Sequence, residues 1–270
     1  MLTGDGNVLT GERVGGARSG GVVVELCAGG LGDVELAVSH GVDRIELNSG
    51  MALGGLTPSA GLLREALAIF RGPLIAMARP REGGFLYSVN ERLQMFRDVE
   101  WMLSEGAAGV AAGFLDESGE VDVVLCSELR RLCGGAEFVF HKAFDWTSNL
   151  LESLRRLADC GVDRVLTSGG FATALAGAGV LRDLSAAGSG RVQVLAGGGI
   201  EAGNVARILR ESGCRQVHAG VRELVDTEPS PGLLHFGVPG SGERSYGRTS
   251  WEKLRGLITA VRSFENEERA

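Results

Sequence analysis

The run Glu137-Phe138-Val139-Phe140-His141-Lys142-Ala143-Phe144-Asp145 opens apolar and closes on an imidazole, an ammonium group and a carboxylate. Such a set can move a proton and neutralise an anion. Side chains of a strand alternate faces, so His141 and Asp145 lean one way, and Lys142 leans the other way or joins the loop. A paired core histidine with an acidic helix cap would give the same pattern. A site is favoured because other strand-like runs end in the same way. The first ends in Glu25 and Cys27, the second in Glu46 and Asn48. The third reaches Arg79, with Arg81 two residues on. Thr167 and Ser168 close the sixth, Gly197-Gly198-Gly199 follows the seventh, and His218 lies on the eighth.

The elements that must position these groups alternate. Strands are expected at 22–28, 44–49, 74–79, 109–115, 138–144, 164–168, 192–196 and 216–219, with helix-like runs between. That order predicts an α/β fold, a single-domain TIM-type (β/α)8 barrel whose site lies at the C-terminal strand ends. Apolar residues at helical spacing support the helices, for example Leu150, Leu154 and Leu157. Start signals are Thr57-Pro58, Ser88-Val89-Asn90-Glu91 and Thr249-Ser250-Trp251-Glu252. The stretch Gly41-Val42-Asp43-Arg44-Ile45 is echoed by Gly161-Val162-Asp163-Arg164-Val165, an offset of 120 residues. Strands two and six would then hold the same place in each half of an eightfold ring.

Composition bounds the rest. The chain has 270 residues, 44% of them apolar, so it can bury a substantial core. Residues 1–21 read as a flexible, glycine-rich leader without the apolar segment of a signal peptide. Residues 222–249 read as a long loop between the last strand and the last helix. No apolar run approaches the roughly 18 residues of a membrane span, so no membrane partner is expected. A net charge of −7 argues against nucleic acid. The five cysteines are widely spaced, with no Cys-x-x-Cys pair. They read as reduced thiols of a cytoplasmic protein.

Two carboxylates inside an apolar barrel need a partner. Arg79 is the expected one, with a planar fork that can grip a carboxylate. Glu25, Glu46 and Arg79 could thus form a structural network. Alternatively, Arg79 or Arg81 binds an anion while a carboxylate or His141 moves a proton. Gly198 and Gly199, before a helix start, resemble a backbone cradle for phosphate, with Thr167 and Ser168 beside it. For a metal, the candidates are Cys27, His141, His218 and nearby carboxylates, and thiolate favours Cu(I). Cys27 could equally be a small buried apolar residue.

Several motifs, in order, resemble the CutC family, which is associated with copper homeostasis. They are Val24-Glu25-Leu26-Cys27, Asp43-Arg44-Ile45-Glu46-Leu47, Gly54-Gly55-Leu56-Thr57-Pro58-Ser59, Arg79-Pro80-Arg81, Gly84-Phe85-Leu86-Tyr87-Ser88, Phe140-His141-Lys142-Ala143-Phe144-Asp145, Val165-Leu166-Thr167-Ser168-Gly169-Gly170 and Val217-His218-Ala219. The resemblance implies a TIM-type barrel, a cytoplasmic homo-oligomer and a role in binding or handling a copper ion. The first of the family's two copper-associated cysteines is matched by Cys27; Asn48 stands at the second, and an amide is a poor Cu(I) ligand. Lys142 stands where arginine is usual, which keeps the charge and loses the fork. Two functions are therefore weighed. One is copper handling through Cys27. The other is an enzyme on a small anionic or phosphorylated metabolite, with Glu25, Glu46, Arg79, His141 and Asp145 in catalysis and Arg81, Thr167, Ser168, Gly198, Gly199 and His218 on the anion.

Overall fold

A computed structural model describes residues 21–226 and 245–270 of the chain. Eight parallel strands close into a barrel in chain order: β1 (Val23–Ala28), β2 (Arg44–Leu47), β3 (Leu74–Met77), β4 (Gly109–Ala112), β5 (Glu137–Phe140), β6 (Arg164–Thr167), β7 (Gln193–Gly197) and β8 (Gln216–Ala219). Helices α1 (Leu31–His40), α2 (Ala60–Ile69), α3 (Val89–Ser104), α4 (Val123–Cys133), α5 (Leu150–Asp159), α6 (Ala178–Gly188) and α7 (Val205–Ser212) connect them, and α8 (Trp251–Arg269) follows. The TIM-type barrel expected from the sequence is what the chain forms.

Strand alternation builds two cores. Val24, Leu26, Ala28, Ile45 and Phe140 belong to the layer shared with the helices. Ile75, Met77, Ala111, Val139, Leu166 and Leu195 form a separate apolar cluster in the lumen. Each fully buried Leu, Ile or Phe removes enough apolar surface to contribute about 1.5–3 kcal/mol. Gly109 lets β4 and β5 approach, because a Cβ there would sit 2.4 Å from the Glu137 carbonyl oxygen. The echo between residues 41–50 and 161–170 corresponds to β2 and β6. Gly41 ends α1 with φ 64°, and Gly161 turns at φ 75° before β6.

Local signals are met unevenly. Ser88 and Glu91 form the full capping box of α3. The other two starts differ from expectation. Helix α2 is capped by Ser59, whose Oγ accepts from the Leu62 amide at 3.2 Å; the Thr57 hydroxyl instead donates to the Arg79 carbonyl. Helix α8 starts at Ser250 without a side-chain cap, and Thr249 ends a strand. Residues 222–249 are not a loop throughout. At their two ends β9 (Arg222–Asp226) and β10 (Ser245–Thr249) pair antiparallel. Their glycine and charge content masked this pairing in the sequence. Residues 227–244 of that expected loop, and the leader through residue 20, lie outside the described residues.

Strands β2 to β6 also stop sooner than the apolar runs suggest. Strand β5 ends at Phe140, and Lys142–Trp146 winds into a 3-10 turn. His141 caps this turn, its Nδ1 3.2 Å from the Ala143 amide. The residues beyond each strand end form the C-terminal mouth.

Candidate functional site

On one side of the lumen, β8, β1 and β2 bring polar groups together. Glu25 is paired with His218 and Arg44 across the two neighbouring strands in register. Its Oε2 accepts a close ion pair from Arg44 Nε, and its Oε1 lies 2.7 Å from His218 Nδ1. Arg44 also donates to Gln216 Oε1 at 2.7 Å. The expected Glu25–Arg79 pairing is therefore replaced by Glu25–Arg44. Arg44 enters the lumen at the start of β2, one strand over and level with Glu25, whereas Arg79 lies beyond the end of β3.

Two residues further up, Cys27 is level with Glu46. The Cys27 thiol lies 3.7 Å from Glu46 Oε2, and Asn48 Nδ2 lies 2.9 Å from that oxygen and 3.5 Å from Cys27 Sγ. His218 Nε2 lies 4.0 Å from Glu46 Oε2. Single ligand atoms of Cys27, Glu46 and His218 all fall within 4.8 Å of one another.

The electrostatics follow from burial and pairing. Burial pushes the Glu25 carboxyl up, but Arg44 and His218 outweigh it and hold the group down at about 2. Burial raises Glu46, and the charge of His218 offsets this in part. Burial pushes His218 down, yet Glu46, Cys27 and Glu25 overcome it and raise the imidazole well above its ordinary value. Burial also raises the Cys27 thiol. The cluster thus stores protons: an imidazolium sits between carboxylates, beside an un-ionised thiol.

Across the mouth stands a different wall. A cavity of about 240 Å³ is lined by Cys27, Glu46, Asn48 and His218 on one side and by Arg79, Phe85, His141 and Lys142 on the other, with Gly54, Met77 and Leu166. Arg79 is 7% exposed. Its guanidinium donates to the carbonyls of Leu53, Gly55 and Gly83, and its Cζ lies 5.4 Å from the centre of the Phe85 ring. It makes no ion pair among the described residues. Burial, then the Arg79 charge, push His141 down to about 3, so it is neutral.

Asp145 corrects the expectation that Thr167 and Ser168 stand free beside a phosphate cradle. Its Oδ1 accepts from the Thr167 hydroxyl and, at 2.9 Å, from the Gly170 amide. Its Oδ2 accepts from the Ser168 amide at 3.0 Å and faces Lys142 Nζ at 3.0 Å. Burial raises its carboxyl, but the Thr167 hydroxyl and Lys142 outweigh this and bring it below the ordinary value. A carboxylate of the chain itself fills the turn that an external anion would need. Thr167 and Ser168 therefore support Asp145, and none of the three lines the cavity. Gly198 and Gly199 do turn with φ 116° and 65°, next to β7, but they also lie outside the cavity lining. Arg81 is absent from that lining too. It clamps the 82–86 loop through carbonyls and pairs with Glu91 at 2.5 Å.

The structure thus assembles Cys27, Glu46, Arg79, His141 and His218 around one cavity, with Glu25 directly behind His218. Sequence reasoning missed Arg44 as the partner of Glu25, and it left Phe85 out of the site. Phe85 lies within the Gly84-Phe85-Leu86 motif, and that placement was the one available signal.

This geometry can be set beside known proteins. The CutC family model matches residues 22–223. The chain belongs to the CutC family. A CutC family protein of Treponema denticola is 37% identical over 220 residues, covering 80% of this chain and 89% of the relative. The human protein named copper homeostasis protein cutC homolog is 38% identical over 207 residues, covering 77% of this chain and 76% of the human one. Among solved structures, the crystal structure of CutC from Streptococcus agalactiae has a TM-score of 0.69 at 28% identity, covering 73% of this chain and 97% of that one. An N-(5'-phosphoribosyl)anthranilate isomerase from Pyrococcus furiosus, at 14% identity and a TM-score of 0.51, shares the fold alone. Among the described residues, no helix of this CutC family member is long and apolar enough to cross a membrane.

Proposed function

We propose that this chain binds a copper ion, taken as Cu(I), at Cys27, His218 and Glu46, and handles it in the cytoplasm as a homo-oligomer. The observation that carries this reading is the convergence of a thiol, an imidazole and a carboxylate within 4.8 Å, from three different strands. The donor set fits the ion in part. Thiolate suits Cu(I) best, imidazole is acceptable, and the carboxylate adds charge. Asn48 is not a ligand in this reading. It holds Glu46 and lies against the sulfur, as outer partners of metal ligands do. Glu25 fixes His218 through Nδ1, which leaves Nε2 for the ion.

Binding requires the thiol and the imidazolium to give up their protons. Two protons leave and one Cu(I) charge enters, so the site becomes one unit more negative, with Arg44 still paired to Glu25. Competition of the reduced protein for Cu(I) against a chelator tests the reading. Tight one-to-one binding that Cys27→Ser weakens strongly is the expected result. Weak binding that this substitution leaves unchanged would remove copper from the function of the chain. Sedimentation of the same samples reads the oligomer.

A further inference from the structure

The wall opposite Cys27 is not built for a soft metal. His141 is 4% exposed, and its Nδ1 accepts the Ala143 amide proton. The neutral ring therefore carries its hydrogen on Nε2. That Nε2 is buried and finds no partner among the described residues. A buried donor without an acceptor costs about 1–3 kcal/mol, and because His141 lines the cavity, a small shift of the ring would present Nε2 to an acceptor that arrives from outside. Arg79 adds a second unmet demand. It is buried with no carboxylate partner among the described residues, and its Nε–H is unpaired. Lys142 differs, since Asp145 already neutralises it. The cavity has space for roughly eight waters at the liquid density.

We propose that the cavity binds a small organic carboxylate, with one oxygen accepting from His141 Nε2–H and its charge facing Arg79. A carboxylate fits better than phosphate for two reasons. The wall offers one uncompensated cation, which matches a single negative charge. Neither glycine turn offers phosphate a seat in this cavity: Asp145 fills the one after β6, and Gly198 and Gly199 lie outside the lining. Phe85, stacked on Arg79 and 5.0 Å from the His141 ring, supplies an apolar flank for the carbon skeleton.

The site does not depend on copper, and the experiment separates the two. Metal-free protein, labelled at histidine nitrogens, is titrated with acetate, pyruvate and inorganic phosphate by NMR. Saturable binding of acetate or pyruvate with a shift of the His141 Nε2 signal is expected. His141→Phe should weaken binding about tenfold or more, the loss of a hydrogen bond to a charged group. His141→Gln, which keeps a donor, should retain most of it, and Arg79→Gln should abolish it. In Cys27→Ser, which should lose Cu(I), carboxylate binding should still depend on His141, falling on addition of His141→Phe as it does in the parent. Thermal melts of each variant establish that it is folded. Binding of phosphate alone would overturn the ligand class. Absence of saturable binding of either carboxylate, or binding unchanged in folded His141→Phe, would overturn the site.

Discussion

His218 Nδ1 lies 2.7 Å from Glu25 Oε1, and that contact settles which ring nitrogen is left to face Cys27 and Glu46. Glu25 thus acts on any bound ion through His218. Glu25→Gln should lower Cu(I) affinity about 10–100-fold, the usual effect of losing a carboxylate behind a ligating histidine. Chelator competition measures it. An unchanged affinity would mean that His218 does not ligate.

Copper uptake should release protons. His218 and Cys27 are both raised by their surroundings, so near neutrality both hold a proton that the ion must displace. Cu(I) affinity should rise with pH, approaching tenfold per unit for each proton displaced. Titrations at several pH values, in buffers that do not bind copper, read the slope. A flat profile would exclude this pair as the ligands.

Acid should act first through His141. The ordinary value of its imidazole, 6.5, falls to about 3 in the fold. Between those values the unfolded chain holds a proton that the folded chain does not, so stability drops as pH falls below 6.5. The loss should reach about 2 kcal/mol between pH 7 and pH 5. Glu25 adds its own loss only between 4.5 and about 2. His218 has the opposite sign: its contribution is complete below 6.5 and fades as pH rises through its raised value. Urea denaturation of the parent and of His141→Gln at both pH values isolates the first effect, with the variant the flatter of the two.

Removing Asp145 should turn its turn into an anion seat. Asp145→Ala frees the amides of Ser168 and Gly170 and leaves Lys142 without its carboxylate. The variant should be less stable by about 1–3 kcal/mol, since buried donors lose their acceptor. Phosphate or sulfate should restore part of its melting temperature and leave the parent unaffected. Equal responses in both proteins would place the anion elsewhere.

Breaking the pair beneath the site should be costly. Arg44→Met leaves Glu25 buried with His218 as its remaining ionic partner. A destabilisation of about 3–5 kcal/mol is expected for an ion pair broken from one side. Urea midpoints measure it, and a loss below about 1 kcal/mol would mean that His218 alone compensates Glu25.

The barrel was legible because strand and helix periods alternate cleanly and because the 120-residue echo sets the halves in phase. The inward-facing chemistry of β1, β2 and β8 was legible from alternation alone. Which groups pair was not. Partners in a closed ring depend on the shear of the strands, which places Arg44 level with Glu25. Sequence order carries no such information, so Arg79 was given a role that Arg44 fills. The sequence places Thr167 and Ser168 beside a Gly198–Gly199 phosphate cradle, whereas the glycine turn that follows them is already filled. Its occupant, Asp145, lies 25 residues before Gly170 in the chain. Asp145 reaches the turn only because Lys142–Trp146 winds into a 3-10 turn.

The ring closes where β8 pairs with β1. Cys27 and Glu46 are made early and His218 late, with Glu25 and His218 separated by 193 residues. A ribosome therefore exposes the thiol and the carboxylate long before the imidazole. The three donors meet only after the final strand has docked, so copper capture at this site would certify a finished barrel and pass over nascent or truncated chains.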